Sequence, residues 1–128
     1  MKEVKNERRL YPRIEQRLPL KIAANGFDLR TTTENISCLG AYCRINKYIP
    51  PFTKILIALT LPITAAQNQS DCCLECKGVV VRSEDSPDGG FNIAIFFNEI
   101  KEPQRQKIFR YLSQFTGANA SAWAQSAK

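Results

Sequence analysis

The chain has 128 residues, which is long enough for one domain with a hydrophobic core and too short for two ordinary ones. Hydrophobic residues make up 44% and charged residues 23%, as in a typical soluble globular protein, and no apolar run is long enough to span a membrane. The formal net charge of +6 favours an anionic partner, and the absence of histidine removes the commonest general base near neutral pH and the commonest metal ligand.

Residues 1–16 are charged, lack any regular apolar pattern and contain Pro12, which prevents a continuous helix. They predict a flexible basic N-terminal arm. Because no apolar stretch follows the charged start, we expect no signal peptide, and therefore a cytoplasmic protein with reduced cysteines.

After the arm, apolar and polar residues alternate with the period of two that is typical of β-strands. Leu18, Leu20 and Ile22 share one face of the first strand, and a turn follows at Asn25-Gly26. A polar loop is expected over residues 64–71 and a turn over 87–90, where Pro and Gly cluster. Six strands are predicted in all, beginning near residue 18 and then covering 29–36, 40–45, 54–61, 73–83 and 91–97. Such a series predicts a mostly β fold, a closed or nearly closed antiparallel barrel.

One helix is predicted at the C-terminal end of the barrel. Pro103 suits a first helical turn, Ile108, Leu112 and Phe115 recur at helical spacing, and Gly117 ends the pattern. The apolar stripe predicts packing against the barrel. We therefore expect a domain over residues 17–116 and a disordered tail over 117–128.

Catalysis is not expected, because the chain has no Gly-rich phosphate loop, no nucleophile elbow and no paired carboxylates. Cys72, Cys73 and Cys76 are close in sequence, but zinc usually needs four ligands, and Cys38 and Cys43 fall on distant predicted strands. Cysteines acting as small strand hydrophobes are the favoured interpretation. No catalytic residue, metal or cofactor is predicted.

Arginines are clustered in the arm at Arg8, Arg9 and Arg13. The guanidinium group presents a rigid fork of donors that can bind a phosphate, or the O6 and N7 edge of guanine, through two hydrogen bonds. A run of solvated surface charge is an equally good interpretation of the arginines alone.

A short polar motif, Asn35-x-Ser37-x-x-Gly40, separates two predicted strands. Taken alone it predicts an ordinary turn, since Asn and Ser bond to local backbone and Gly tolerates positive φ. It also offers an amide for a base edge, a hydroxyl, and a surface without Cβ that a flat ring can approach.

The two motifs in this order, followed by strands and a closing helix, resemble the PilZ domain, a bacterial receptor for the second messenger cyclic di-GMP. That family has an R-x-x-x-R motif, here Arg9 to Arg13, and a [DN]-x-S-x-x-G motif, here Asn35 to Gly40. Residues 79–82 and 89–97 also look like the last hairpin of that family. The resemblance covers roughly residues 7–116.

The resemblance implies specific roles for the motif residues. Arg9 and Arg13 would bind guanine edges and phosphates from the arm, Asn35 and Ser37 would contact a guanine on the barrel surface, and Gly40 would leave room for it. An arginine at position 8 implies binding of two stacked ligand molecules. The arm would become ordered over the ligand and so change the surface presented to an effector protein.

Two other functions fit the sequence less well. One is a PilZ-like scaffold that binds proteins of the motility, pilus or exopolysaccharide machinery without nucleotide. The other is a small nucleic-acid-binding barrel, which requires aromatic side chains exposed on a sheet face. The aromatics are predicted mostly in the core, so DNA binding is not expected, and the absence of a long apolar run means that membrane insertion is not expected either. The aromatics in question are Phe91, Phe96, Phe97, Phe109 and Phe115.

Overall fold

The computed structural model describes residues 13–24, 26–64 and 69–115. Arg8, Arg9 and most of the predicted arm lie outside the described residues, as do Gly117 and the predicted tail. The elements are β1 (Pro19–Ala24), β2 (Phe27–Ile36), β3 (Gly40–Ile45), β4 (Lys54–Thr64), β5 (Gln69–Asp85), β6 (Phe91–Glu99) and α1 (Glu102–Ser113). Within the described ranges, no helix is both long and apolar enough to cross a membrane.

The six strands form a closed antiparallel barrel in the order β1-β2-β3-β6-β5-β4, with β4 returning to pair with β1. The closure gives each of the six described strands two neighbours, an arrangement that removes the exposed sheet edges of an open sheet. The predicted barrel and the predicted hairpin between the last two strands are confirmed.

The barrel interior is filled by the apolar residues that the period of two assigned to one face. Leu20 and Ile22 of β1, for example, are buried, whereas Lys21 between them is exposed. The same alternation buries Ala41, Cys43 and Ile45 in β3 and Ile55, Ile57, Leu59 and Leu61 in β4. Thr33 is the fully buried polar residue in this core.

The expected loop over residues 64–71 is shorter than predicted. The β4–β5 pairing continues to Thr64 opposite Gln69, so Gln69, Ser70 and Asp71 belong to β5. Polar composition did not prevent strand formation there, because the ladder is made by backbone groups whatever the side chains are.

Helix α1 begins after Lys101 with Pro103 in its first turn, as predicted, and buries Ile108 and Leu112. Phe115 does not continue this face, because the helix ends at Ser113. Phe115 is exposed, and its ring packs edge-on against Tyr111 with the centroids 5.1 Å apart.

The prediction that the aromatics lie mostly in the core is only partly right. Phe97 is buried, and Phe91 and Phe109 are partly buried against the core. Phe96 and Phe115 are exposed. For Phe96 the reason is strand alternation, since its neighbours Ile95 and Phe97 point inward.

Candidate ligand-binding site

A cleft of about 820 Å³ lies on the outer face of the barrel, between the β2–β3 connection and the β5–β6 hairpin. We call it the motif cleft, because Arg13, Asn35, Ser37 and Gly40 all line it. The structure thus brings together every predicted site residue that it describes. Two segments that are well separated in sequence meet in one depression.

Backbone hydrogen bonds hold the arginine segment beside the polar motif. Ile14 and Ile36 exchange two of them, at 2.9 and 3.0 Å, which fixes the chain one residue after Arg13. The buried Thr33 hydroxyl donates to the Gln16 carbonyl and accepts from the Leu18 N–H at 2.9 Å. The last residues of the predicted arm are therefore attached to β2.

The polar motif forms a turn that is closed on itself and bonded to β6. The Ser37 N–H donates to the Gly40 carbonyl at 2.9 Å, and the Leu39 N–H donates to the Ser37 hydroxyl at 3.1 Å. The Leu39 carbonyl accepts from the Phe97 N–H at 2.8 Å. Since the Ser37 oxygen is an acceptor in this turn, its own proton is left as a donor for a ligand.

Gly40 is explained by the close approach of two strands. A Cβ at Gly40 would lie 2.1 Å from the backbone oxygen of Ile95 in β6, a distance that no side chain tolerates. Gly40 is not among the glycines with positive φ, which are Gly26, Gly89 and Gly90. The turn geometry that the sequence suggested is therefore not what requires this glycine.

A β-bulge in β2 turns Asn35 toward the cleft. Thr33 pairs with Cys43 and Asn35 with Tyr42, so Glu34 is the extra residue on β2. In a regular strand Asn35 would share the buried face of Thr33. With the bulge, Glu34 and Asn35 are both partly exposed, while Thr33 stays in the core.

A second bulge, in β5, brings Arg82 into the cleft. The sequence motifs did not predict this cation as a site residue. Val80 pairs with Ile95 and Arg82 with Ala94, which leaves Val81 as the extra residue. Val80 is buried, and both Val81 and Arg82 are exposed and line the cleft. An arginine two positions after a buried valine would point into the core of a regular strand. That conflict was the available signal for a bulge.

Apolar side chains supply the rest of the cleft. Leu39, Val81 and Phe96 line it and are 39%, 47% and 44% exposed, and the partly buried Tyr42 lies beside them. Exposed apolar surface next to two arginines, an amide and a hydroxyl suits a flat aromatic anion, whose rings need apolar contact and whose charges need guanidinium groups.

The thiols offer no alternative chemistry near the motif. Burial raises the pKa of Cys38 to about 11, partly opposed by the nearby Arg105, and burial raises the pKa of Cys43 to about 12. Burial likewise raises the pKa of Cys76 to about 11. The raised pKa values favour the protonated thiols at neutral pH, which are poor nucleophiles. Among the described residues, no group of three or more His, Cys, Asp and Glu side chains converges on a metal position.

Comparison with known proteins gives one family match and several structural similarities. The model of the PilZ domain family matches residues 7–114. The chain is similar to the Bacillus subtilis inhibitor of motility MotI/DgrA, with a TM-score of 0.72 and 19% identity over 83% of this chain and 50% of that one. It is also similar to the PilZ domain of YcgR from Escherichia coli with c-di-GMP, with a TM-score of 0.57 and 11% identity over 88% of this chain and 95% of that one.

At these identities the two structures support the fold alone. The chain spans about half the length of the MotI/DgrA chain. A search of curated proteins finds no match.

Proposed function

Because the chain belongs to the PilZ domain family, we propose that it is a receptor that binds cyclic di-GMP in the motif cleft and passes the signal to a partner protein. PilZ domains are in general receptor or adaptor domains without catalytic activity. The observation that supports the proposal best is the presence of Arg13 in the same cleft as Asn35, Ser37 and Gly40.

The chemistry of the cleft fits a cyclic dinucleotide. Cyclic di-GMP carries two phosphate charges and two guanine bases. Arg13 and Arg82 supply guanidinium forks for phosphates or the O6 and N7 edge of guanine. The Asn35 amide and the Ser37 hydroxyl supply neutral hydrogen bonds, and Val81 and Phe96 supply surface against which a purine face can pack.

We assign further binding residues to the arm. Arg9 completes the R-x-x-x-R motif with Arg13, and Arg8 binds a second, stacked ligand molecule. In this proposal the part of the arm before Arg13 closes over the ligand, whereas Ile14 and Gln16 are already bonded to β2, and residues 17–116 form the receptor domain. Ordering of the arm then creates the surface that an effector protein recognises in the cytoplasm.

Isothermal titration calorimetry tests the proposal. We expect cyclic di-GMP to bind the full chain, and GTP and cyclic di-AMP to bind at least tenfold more weakly. Arg9→Ala or Arg13→Ala should lower the affinity roughly 100-fold, the equivalent of about 2.7 kcal/mol for a truncated charge-assisted contact. Arg110→Ala, at an exposed position on α1 outside the motif cleft, is the matched control.

Stoichiometry tests the role of Arg8. We expect two ligand molecules per chain for the unmodified protein and one for Arg8→Ala. A stoichiometry of one for both proteins would contradict the assignment of Arg8 and leave that of Arg13 intact. If cyclic di-GMP does not bind at micromolar concentrations, the receptor proposal is wrong.

A protein-binding scaffold that works without nucleotide is the second candidate. It is favoured by Phe52, which is 81% exposed at a backbone φ of 71°, where a side chain other than glycine is unusual. Binding of an effector protein with the same affinity in the presence and absence of cyclic di-GMP would support this scaffold function.

A nucleic-acid-binding barrel is the third candidate. The exposure of Phe96 removes one argument against it, and steep salt dependence of oligonucleotide binding would favour it.

A further inference from the structure

A second cleft, of about 470 Å³, lies on the outer face of β2 and β3 and is lined mainly by polar side chains. Arg17, Arg30 and Arg44 converge on it, and we call it the arginine cleft. All three arginines are exposed, and among the described residues none of them forms an ion pair. Since no side-chain hydrogen bond to these guanidinium groups is found either over the described ranges, their donors can bind a ligand in the cleft.

The strand register adds a fourth positive charge beside this cleft. Arg30 in β2 lies directly opposite Lys21 in β1, and both side chains are exposed on the outer face. Like charges placed directly opposite each other destabilise an antiparallel pair. Asp28 and Glu75 line a neighbouring cleft together with Lys21 and Arg30, and a bound anion would offset the repulsion that these two carboxylates leave.

We infer that the arginine cleft binds an acidic segment of a partner protein. The carboxylates of Glu34 and Asp88 also line the cleft, so a dense polyanion such as a polyphosphate would meet two like charges there. An acidic peptide presents spaced carboxylates for the arginine forks and backbone N–H donors for Glu34 and Asp88. The mixed lining therefore favours a peptide.

The arginine cleft is separate from the motif cleft and adjoins it. Glu34 lines the arginine cleft, and the next residue, Asn35, lines the motif cleft. In β3, Arg44 lines the arginine cleft and Tyr42 lines the motif cleft, two positions apart on one face of the strand. An acidic segment in the arginine cleft would thus lie next to a ligand in the motif cleft. Its binding would not require that ligand to be present.

Fluorescence anisotropy with a labelled octaglutamate peptide tests the inference on the full chain, with octaglutamine as the neutral peptide. We expect octaglutamate to bind and octaglutamine not to bind. Arg30→Glu/Arg44→Glu should weaken octaglutamate binding at least tenfold, or about 1.4 kcal/mol. Lys54→Glu/Arg110→Glu changes the net charge equally at exposed positions outside the arginine cleft, and should weaken it less than about twofold.

Three results would overturn the inference. The first is no octaglutamate binding at millimolar concentration, and the second is an equal loss in both double variants, which would indicate attraction by net charge alone. The third is displacement of octaglutamate by tripolyphosphate at an equal or lower concentration, which would indicate a phosphate site. Arg30→Gln/Arg44→Gln provides the same comparison without charge reversal if the first variant fails to fold.

Discussion

The two clefts lie side by side on one barrel and are built in different ways. The motif cleft depends on irregularities: a closed turn at Ser37, a glycine where β3 approaches β6 closely, and two bulges that turn Asn35 and Arg82 outward. The arginines on the strands of the arginine cleft depend on regular alternation along β2 and β3, which places Arg30 and Arg44 on the outer face, and only Glu34 comes to this cleft from a bulge among the described residues.

The two clefts therefore depend on the fold to different degrees. Irregular backbone fixes the position of a few groups and suits a small ligand of defined shape. Exposed arginines on regular strands can be substituted without changing the backbone, and suit a partner recognised mainly by charge. Mutations at the turn and the close strand contact of the motif cleft should therefore lower stability as well as binding. Substitutions of Arg30 and Arg44 should change binding strongly and stability only slightly.

The largest effect is expected at Gly40 in the wall of the motif cleft. Gly40→Ala should destabilise the protein by about 3 kcal/mol, since the added Cβ would overlap the Ile95 carbonyl. Gly26→Ala is the control, because its Cβ would meet nothing within 4 Å and only its φ of 83° is unfavourable, at a cost of about 1 kcal/mol. Urea denaturation measures both, and an equal loss would contradict this account of Gly40.

The next effect concerns Thr33, whose hydroxyl holds the segment that carries Arg13 and Arg17. Thr33→Val should cost about 2 kcal/mol, because it leaves the buried N–H of Leu18 and the carbonyl of Gln16 without that partner. Thr31→Val removes an exposed bond to the Arg44 carbonyl and should cost about 0.5 kcal/mol. The same denaturation experiment compares them, and a larger loss for Thr31→Val would refute the assignment.

An effect of intermediate size is expected for Phe96→Ala, which should change ligand binding in one cleft and not in the other. Phe96→Ala should lower the affinity for cyclic di-GMP about tenfold, because it removes apolar surface for a purine. It should leave octaglutamate binding unchanged. Phe52→Ala removes an even more exposed phenylalanine outside both clefts and should change neither affinity. Calorimetry measures the affinity for cyclic di-GMP, and fluorescence anisotropy measures the affinity for octaglutamate. A larger loss of cyclic di-GMP affinity for Phe52→Ala than for Phe96→Ala would contradict the role of Phe96.

The smallest effect has the opposite sign. Arg30→Glu should stabilise the protein by about 0.5 kcal/mol, because Lys21 then faces an opposite charge. Arg44→Glu is the control, since Arg44 faces the neutral Asn92 in β6 and no such gain is expected. If Arg30→Glu stabilises the protein and weakens octaglutamate binding, Arg30 serves binding at a cost in stability. If Arg30→Glu destabilises the protein, repulsion between Lys21 and Arg30 is contradicted.

The sequence predicts the regular parts of the molecule well, since periodicity reports which face of a strand is buried. The exact bounds of β3 and the stripe of Ile108 and Leu112 on α1 follow from that signal. The described residues of the two motifs line one cleft, although Gly40 has a structural reason that the motif did not reveal.

The bulges could not be predicted with the same ease. A bulge adds one residue and leaves the strand-like composition unchanged, so only an exception to the alternation marks it. Arg82 is such an exception. A single charged residue at a position expected to be buried can mark either a bulge or the exposed end of a strand, and the sequence does not distinguish these two cases. The exposure of Phe96 and Phe115 was missed for a related reason, because aromatic character does not indicate which face of an element a residue occupies.

A titration of the ¹⁵N-labelled full chain with cyclic di-GMP, followed by amide chemical shifts, shows which cleft binds the nucleotide. We expect the largest changes at the amides of Ser37 to Tyr42 and of Val81 and Arg82. We expect small changes at Arg30 and Thr31 in the neighbouring cleft. Changes concentrated at Arg30, Thr31 and Arg44, or no changes at saturating ligand, would contradict the assignment of the motif cleft as the nucleotide site.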